Sequence, residues 1–158
     1  MARQPFVETV TRDASAVGGA PVRSPLASLV VSLRPGQWTK NLVVFAGLLF
    51  GKQLFEPGAV AVSCAAFAIF CALSGVIYLL NDVADREADR RHPLKSRRPI
   101  ASGQLSPSAA LAAAAAIGVA SLAAAYLLGP AFALVAVVYV ALQATYSTWL
   151  KHVVISTC

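Results

Sequence analysis

Four of the chain's seven acidic residues fall in one short stretch, Asn81-Asp82-Val83-Ala84-Asp85-Arg86-Glu87-Ala88-Asp89-Arg90-Arg91-His92-Pro93. A helix running through it turns ~100° per residue. With Asp82 at zero, Asp89 falls near −20°, Asp85 near −60° and Asn81 near −100°, while Glu87 falls at roughly 140°. Asn81, Asp82, Asp85 and Asp89 therefore share a face, and Glu87 lies opposite. Carboxylates at i, i+3 and i+7 repel one another, and the negative end of a helix dipole adds to the repulsion. Two arrangements relieve it. One is a hard divalent cation that takes oxygen ligands. The other is an exposed, salt-bridged helix end, with Asp82 to Arg86 and Glu87 to Arg91 as i, i+4 pairs.

The elements that must position this cluster are apolar. Of 158 residues, 58% are hydrophobic and only 13% charged, with a mean hydropathy of +0.68. Soluble domains carry about 25% charged residues, so the composition indicates a membrane protein. The net charge of +6 does not point to nucleic acid, because the bases cluster beside apolar spans. They read as topology determinants, with phosphate binding as a second use. Of the three cysteines, Cys64 and Cys71 stand two helical turns apart, about 10.5 Å, too far to bridge. No CxxC or Cys/His cluster suggests zinc, and Cys158 has no lipidation context. The first apolar run begins only after residue 40, so no cleavable signal is expected.

Residues 1–25 mix Pro, Gly, Ser and Thr without periodicity and are expected to form a flexible tail, with helix beginning near Leu26. A membrane domain over 26–158 follows, with spans expected at 36–54, 58–80, 108–128 and 131–149. The first must include Trp38 and Lys40 at one end and Lys52 at the other, with Lys40 snorkelling or lying at membrane depth. No charge occurs between Glu56 and Asp82, and the acidic cluster is the exit of that second span. Arg90, Arg91, Lys95, Arg97 and Arg98 crowd behind it and assign the exit to the cytoplasmic side. Pro93 and Pro99 make 90–103 a loop lying against the membrane. Ser106-Pro107-Ser108 marks a helix start, and Gly129-Pro130 divides the long uncharged remainder into two spans. Ala112/Ala116 and Ala114/Gly118 have the small-xxx-small spacing of close helix contacts. Tyr146, Trp149, Lys151 and His152 suit an interface. The chain stops within renewed apolar sequence at Val153–Cys158, which suggests a truncated product.

Asn81-Asp82-x-x-Asp85-x-x-x-Asp89, followed by Arg90-x-His92-Pro93-x-Lys95-x-Arg97-Arg98-Pro99-Ile100-Ala101-Ser102-Gly103, resembles the first aspartate-rich motif and following loop of the UbiA prenyltransferase superfamily. Leu33-Arg34-Pro35-x-Gln37-Trp38-x-Lys40-Asn41 is similar to the branch that makes decaprenyl-phosphate phosphoribose from phosphoribosyl pyrophosphate. The resemblance implies an all-α, multi-span transmembrane bundle, with about four spans here out of about nine in the family fold, each of ~20 apolar residues. It covers residues 26–152, and no carboxylate follows Asp89 to supply the family's second aspartate motif. Asn81, Asp82, Asp85 and Asp89 would hold Mg²⁺ on the donor diphosphate, with Asp82 and Asp85 catalytic. Asn81, Arg90, Lys95, Arg97 and Arg98 would bind substrate, and Lys40 the polyprenyl phosphate. The implied place is the plasma membrane, multi-pass, with the active face cytoplasmic. The same motif in the family also serves prenyl transfer from a polyprenyl diphosphate to an aromatic acceptor. A non-catalytic bundle with an ion site at Asp82, Asp85 and Asp89 is disfavoured, because transporter ion sites lie near the midplane on broken helices.

Overall fold

The computed structural model describes residues 23–147. Among them every regular element is helical: α1 Pro25–Ser32, a 3-10 segment Pro35–Phe45 running into α2 Ala46–Phe50, α3 Pro57–Ala84, α4 Arg86–Arg91, a 3-10 turn Lys95–Arg97, α5 Pro107–Leu128 and α6 Pro130–Thr145. Two of these, Pro57–Ala84 and Pro107–Leu128, are long and apolar enough to cross a membrane, and Pro130–Thr145 is shorter but apolar. Residues 1–22 and 148–158, with the expected tail, Trp149, Lys151, His152 and Cys158, lie outside the described residues.

Proline starts five of these elements, where its missing N–H costs nothing. Ser24 and Ser106 cap α1 and α5 by accepting from the N–H of Ala27 (3.3 Å) and Ala109 (3.2 Å). Gly129, at φ 151°, makes the turn that separates α5 from α6. Both boundaries stand where Ser106-Pro107 and Gly129-Pro130 predict them.

The segment expected as an ordinary first span departs from an α-helix. Its first 11 residues are 3-10, followed by a 5-residue α-helix. At ~2.0 Å per 3-10 residue and ~1.5 Å per α residue, the pair reaches about 30 Å, the thickness of a bilayer's apolar core. Three residues per turn also bring Trp38, Asn41 and Val44 into line. These are part-buried, whereas Thr39, Lys40, Leu42 and Val43 are exposed. Asn41 Nδ2 lies 3.4 Å from Ser74 Oγ and 3.5 Å from Cys71 Sγ, tying the segment to α3.

Helix α3 is the axis of the packing: α5 lies along it and α6 packs on α5. One core cluster joins Val76 and Leu79 of α3 to Ala110 and Ala114 of α5, with Ile100 and Leu105 from the intervening loop. A second joins Ile69 and Leu73 to Ala125 and Ala136, and Phe70 meets Phe132 and Tyr139 edge-on at 5.6 and 5.1 Å. The buried stripe of α5 is Ala110, Ala114, Ser121 and Ala125, and a Cβ on Gly118 would come 3.9 Å from Val76 Cγ1. Ala112 and Ala116 are exposed, so that small-residue pair faces away from α3 and only the Ala114/Gly118 row meets it. The 90–103 loop also differs from expectation. Arg90 and Arg91 finish α4, and Ile100 and Ala101 are buried, Ile100 within the first core cluster. Burial of Ile100 fixes the loop and with it Arg98.

Candidate functional site at the end of helix α3

The helix does not run unbroken through the acidic stretch. It ends at Ala84, Asp85 takes φ −85°, ψ 2°, and α4 begins at Arg86. Helical bonds nevertheless carry across the joint, from the N–H of Asp85 to Asn81 O and from that of Asp89 to Asp85 O, both 2.8 Å. The turn therefore keeps Asp82 and Asp89 on one side. Each is 2% exposed.

Two arginines from distant segments meet them. Arg34 Nη2 lies 2.6 Å from Asp82 Oδ1. Arg98 Nη1 lies 3.1 Å from the same oxygen and 2.6 Å from Asp89 Oδ2. One guanidinium nitrogen thus bridges the two carboxylates. The i, i+4 pairs expected for an exposed helix end do not form: Asp82 turns to Arg34 and Arg98, and Glu87 takes Arg86 (2.7 Å) and Arg90 (3.2 Å). Glu87 lies on the solvent side, where the hydrogen bond from Arg86 holds its carboxyl below the usual range.

Arg34 was not legible as a site residue. It reaches Asp82 because Gly75, Tyr78 and Asp82 lie at i, i+3 and i+7 on one face of α3. A Cβ on Gly75 would come 2.7 Å from Leu33 Cδ2, so glycine there lets the Leu33–Arg34 turn sit against the helix. Arg34 then crosses the Tyr78 ring, with Cζ 4.8 Å from its centroid. The neighbouring Asn81 accepts from Ser147 Oγ, bringing the end of α6 to the same place.

The remaining candidates are dispersed. Asp85 is half-buried at the helix joint. Arg90 donates from Nε to Ala101 O at 3.1 Å. His92 Nδ1 accepts from the backbone of Leu94 and Lys95 and closes the turn after α4. Lys95 and Arg97 are exposed, and Lys40 is exposed on the outward side of the 3-10 segment. Beside that segment an apolar groove of about 330 Å³ opens between Val44, Phe70, Val135 and Tyr139, with Asn41 at its edge.

A helical membrane bundle with a cluster of carboxylates and arginines at the end of a long apolar helix defines the class. Residues 41–157 match the UbiA prenyltransferase family, and the chain belongs to it. Over 136 residues it is 41% identical to a decaprenyl-phosphate phosphoribosyltransferase of Mycobacterium tuberculosis, covering 84% of this chain and 45% of the relative. A protein of the same name from Mycolicibacterium smegmatis is 37% identical over 147 residues, 90% of this chain and 46% of the relative. A third, from Corynebacterium glutamicum, is 38% identical over 136 residues, 84% and 41%. The chain spans a little under half the length of these relatives.

Divalent-metal dependence is general in this family. Among the described residues no three Asp, Glu, His or Cys side chains converge as a cage. Mg²⁺ does not need one, since it takes one or two carboxylates with substrate phosphates and water. Asp82 and Asp89 fit that demand, because a single cationic nitrogen already sits within 3.1 Å of an oxygen of each.

Proposed function

We propose that the chain forms the diphosphate-binding part of a membrane transferase that moves a phosphoribosyl group from phosphoribosyl pyrophosphate to decaprenyl or another polyprenyl phosphate. The observation that carries this is the pair Asp82 and Asp89, buried at the end of α3 and bridged by Arg98. The names of the relatives support the choice of substrates. In the reaction, an acceptor phosphate oxygen bonds to the anomeric carbon of the ribose. The bond from that carbon to the pyrophosphate oxygen breaks, and pyrophosphate leaves with the electron pair.

Asn81, Asp82, Asp85 and Asp89 are the residues that would hold Mg²⁺, which when bound supplies charge neutralisation to the leaving pyrophosphate. The chain's own part is binding and orientation. Arg98, Arg90, Lys95 and Arg97 present guanidinium and ammonium donors to the remaining phosphate charge. Lys40 meets the acceptor's phosphate, and the apolar groove beside Val44 and Phe70 takes its isoprenoid tail without needing hydrogen bonds. In this reading four spans, with 35–50 as the first, place both chain ends and the acidic cluster on the cytoplasmic side of the plasma membrane.

A second reading, prenyl transfer to an aromatic ring, shares the metal–diphosphate site and draws on the family's name. Donor competition separates them. Purified protein with Mg²⁺ is given radiolabelled phosphoribosyl pyrophosphate, and bound label is measured against unlabelled competitors. Phosphoribosyl pyrophosphate should displace the label at least tenfold better than geranyl diphosphate, and EDTA should release it. Equal or better displacement by the prenyl diphosphate would overturn the phosphoribosyl assignment.

A further inference from the structure

We propose that Arg34, with Arg98, is an exchangeable counter-charge: the two guanidinium groups leave Asp82 and Asp89 for the donor's anionic oxygens as a divalent cation takes the carboxylates. Cation and diphosphate then enter as a pair and not singly. The inference deepens the proposed function and rests on its metal–diphosphate site.

Four observations carry it. Arg34 and Arg98 converge on the same oxygen, Asp82 Oδ1, and Arg98 also holds Asp89. A divalent cation that takes this oxygen must compete with both. The charges of the ion-paired groups also match: the two guanidinium groups balance the carboxylates of Asp82 and Asp89. A dication added alone leaves both arginines against a surplus of like charge, which a diphosphate relieves.

The arginines are only half committed. Arg34 uses Nη2 alone on Asp82 and Arg98 uses Nη1 alone on its two carboxylates; Nε and the other Nη of each remain for a phosphate, the group a guanidinium fork fits best. Their side chains are 30% and 28% exposed, against 3% for each carboxylate, so the arginines can turn outward while the acids cannot.

Arg34 is also held in an unfavourable backbone state. It takes φ 54°, ψ 62°, the left-handed region, with a Cβ and directly before Pro35. A purely structural ion pair to Asp82 could come from a relaxed residue. Strain that is maintained by Gly75, Tyr78 and Asp82 together indicates a position fixed for a purpose.

The test uses Mn²⁺ as a spectroscopic probe, titrated into the purified protein and followed by electron paramagnetic resonance with and without inorganic pyrophosphate. Wild type should bind Mn²⁺ about tenfold tighter or more when pyrophosphate is present. Arg34→Gln should bind Mn²⁺ alone several-fold tighter than wild type and lose most of the pyrophosphate enhancement. Arg34→Lys keeps the charge but not the fork, so its affinity for Mn²⁺ alone should stay near wild type while the enhancement falls to less than a third. Arg91→Gln, which removes an exposed charge outside the cluster, should match wild type in both titrations.

Identical behaviour of Arg34→Gln and wild type overturns the exchange. If that variant does not fold, full enhancement in Arg34→Lys overturns it equally. Mn²⁺ that binds in no variant, even with pyrophosphate, refutes the metal–diphosphate site and the exchange with it. Pyrophosphate enhancement that phosphoribosyl pyrophosphate cannot reproduce refutes only the assigned donor and leaves the exchange supported.

Discussion

Replacing Arg98 by methionine tests the central contact directly. Arg98 gives Asp89 its ion pair at 2.6 Å, whereas Asp82 keeps Arg34 at the same distance when Arg98 is gone. The loss therefore falls mainly on Asp89, a carboxylate 2% exposed. Removing one partner of a fully buried pair costs roughly 3–5 kcal/mol. Here the arginine side chain is 28% exposed, so water reaches part of the site and the expected cost falls to about 2–3 kcal/mol. At about 2–4 °C per kcal/mol for a chain of this size, Arg98→Met should lower Tm by roughly 4–12 °C.

The assay is thermal unfolding of the purified protein in detergent with EDTA, which removes stray divalent ions that would mask the loss. Two further variants make the result specific. Arg97→Met, at an exposed neighbour, should stay within about 0.5 kcal/mol of wild type. Asp89→Asn in the Arg98→Met background should recover at least about 1 kcal/mol, because it removes the stranded charge. A drop no larger than that of Arg97→Met, or no recovery in the double variant, would show that the bridge between Asp82 and Asp89 contributes nothing, and would refute the account of the site given above.

In a full-length context, Asp85→Asn should cost at least ~10²-fold in kcat for transferase turnover, while Glu87→Gln on the solvent side should cost little; equal losses would refute the division of the two faces. Gly75→Val puts a branched side chain where even a Cβ lies 2.7 Å from Leu33, and should cost about 1–3 kcal/mol and unseat Arg34; an unchanged Tm together with wild-type Mn²⁺ binding would show that the turn does not depend on this glycine. Reporter fusions after Glu56 and after Gly129 should both report the non-cytoplasmic side, and a cytoplasmic signal at either would overturn the four-span topology.

What could be read from the sequence depended on how local the cause was. The helix starts at Pro107 and Pro130 follow from single residues and their caps, and the structure has them there. The shared face of Asp82 and Asp89 is a matter of helical period, and it survives the joint at Asp85 because the backbone bonds continue across it. The 3-10 form of Pro35–Phe45 has no such marker, since hydropathy does not distinguish a helix of 3.0 residues per turn from one of 3.6. Nor does small-residue spacing say which of two overlapping rows on α5 will meet α3. The buried row is chosen by Val76 and Leu79 across the interface.

The partners of the acidic cluster show the same limit more sharply. Sequence proximity offered Arg86 and Arg91, a few residues away on the same helix. The structure supplies Arg34, which is 48 residues from Asp82, and Arg98, which is 16 away. Both arrive through apolar contacts: Leu33 seats against Gly75, and Ile100 is buried beside Leu79. Charge decides what Arg34 and Arg98 do once there, but packing decides that they are there. A substitution in the neutral core, at Gly75 or Ile100, is therefore expected to disturb the ion cluster as surely as one in the cluster itself, while substitutions of the nearer bases Arg86 and Arg91 leave it intact.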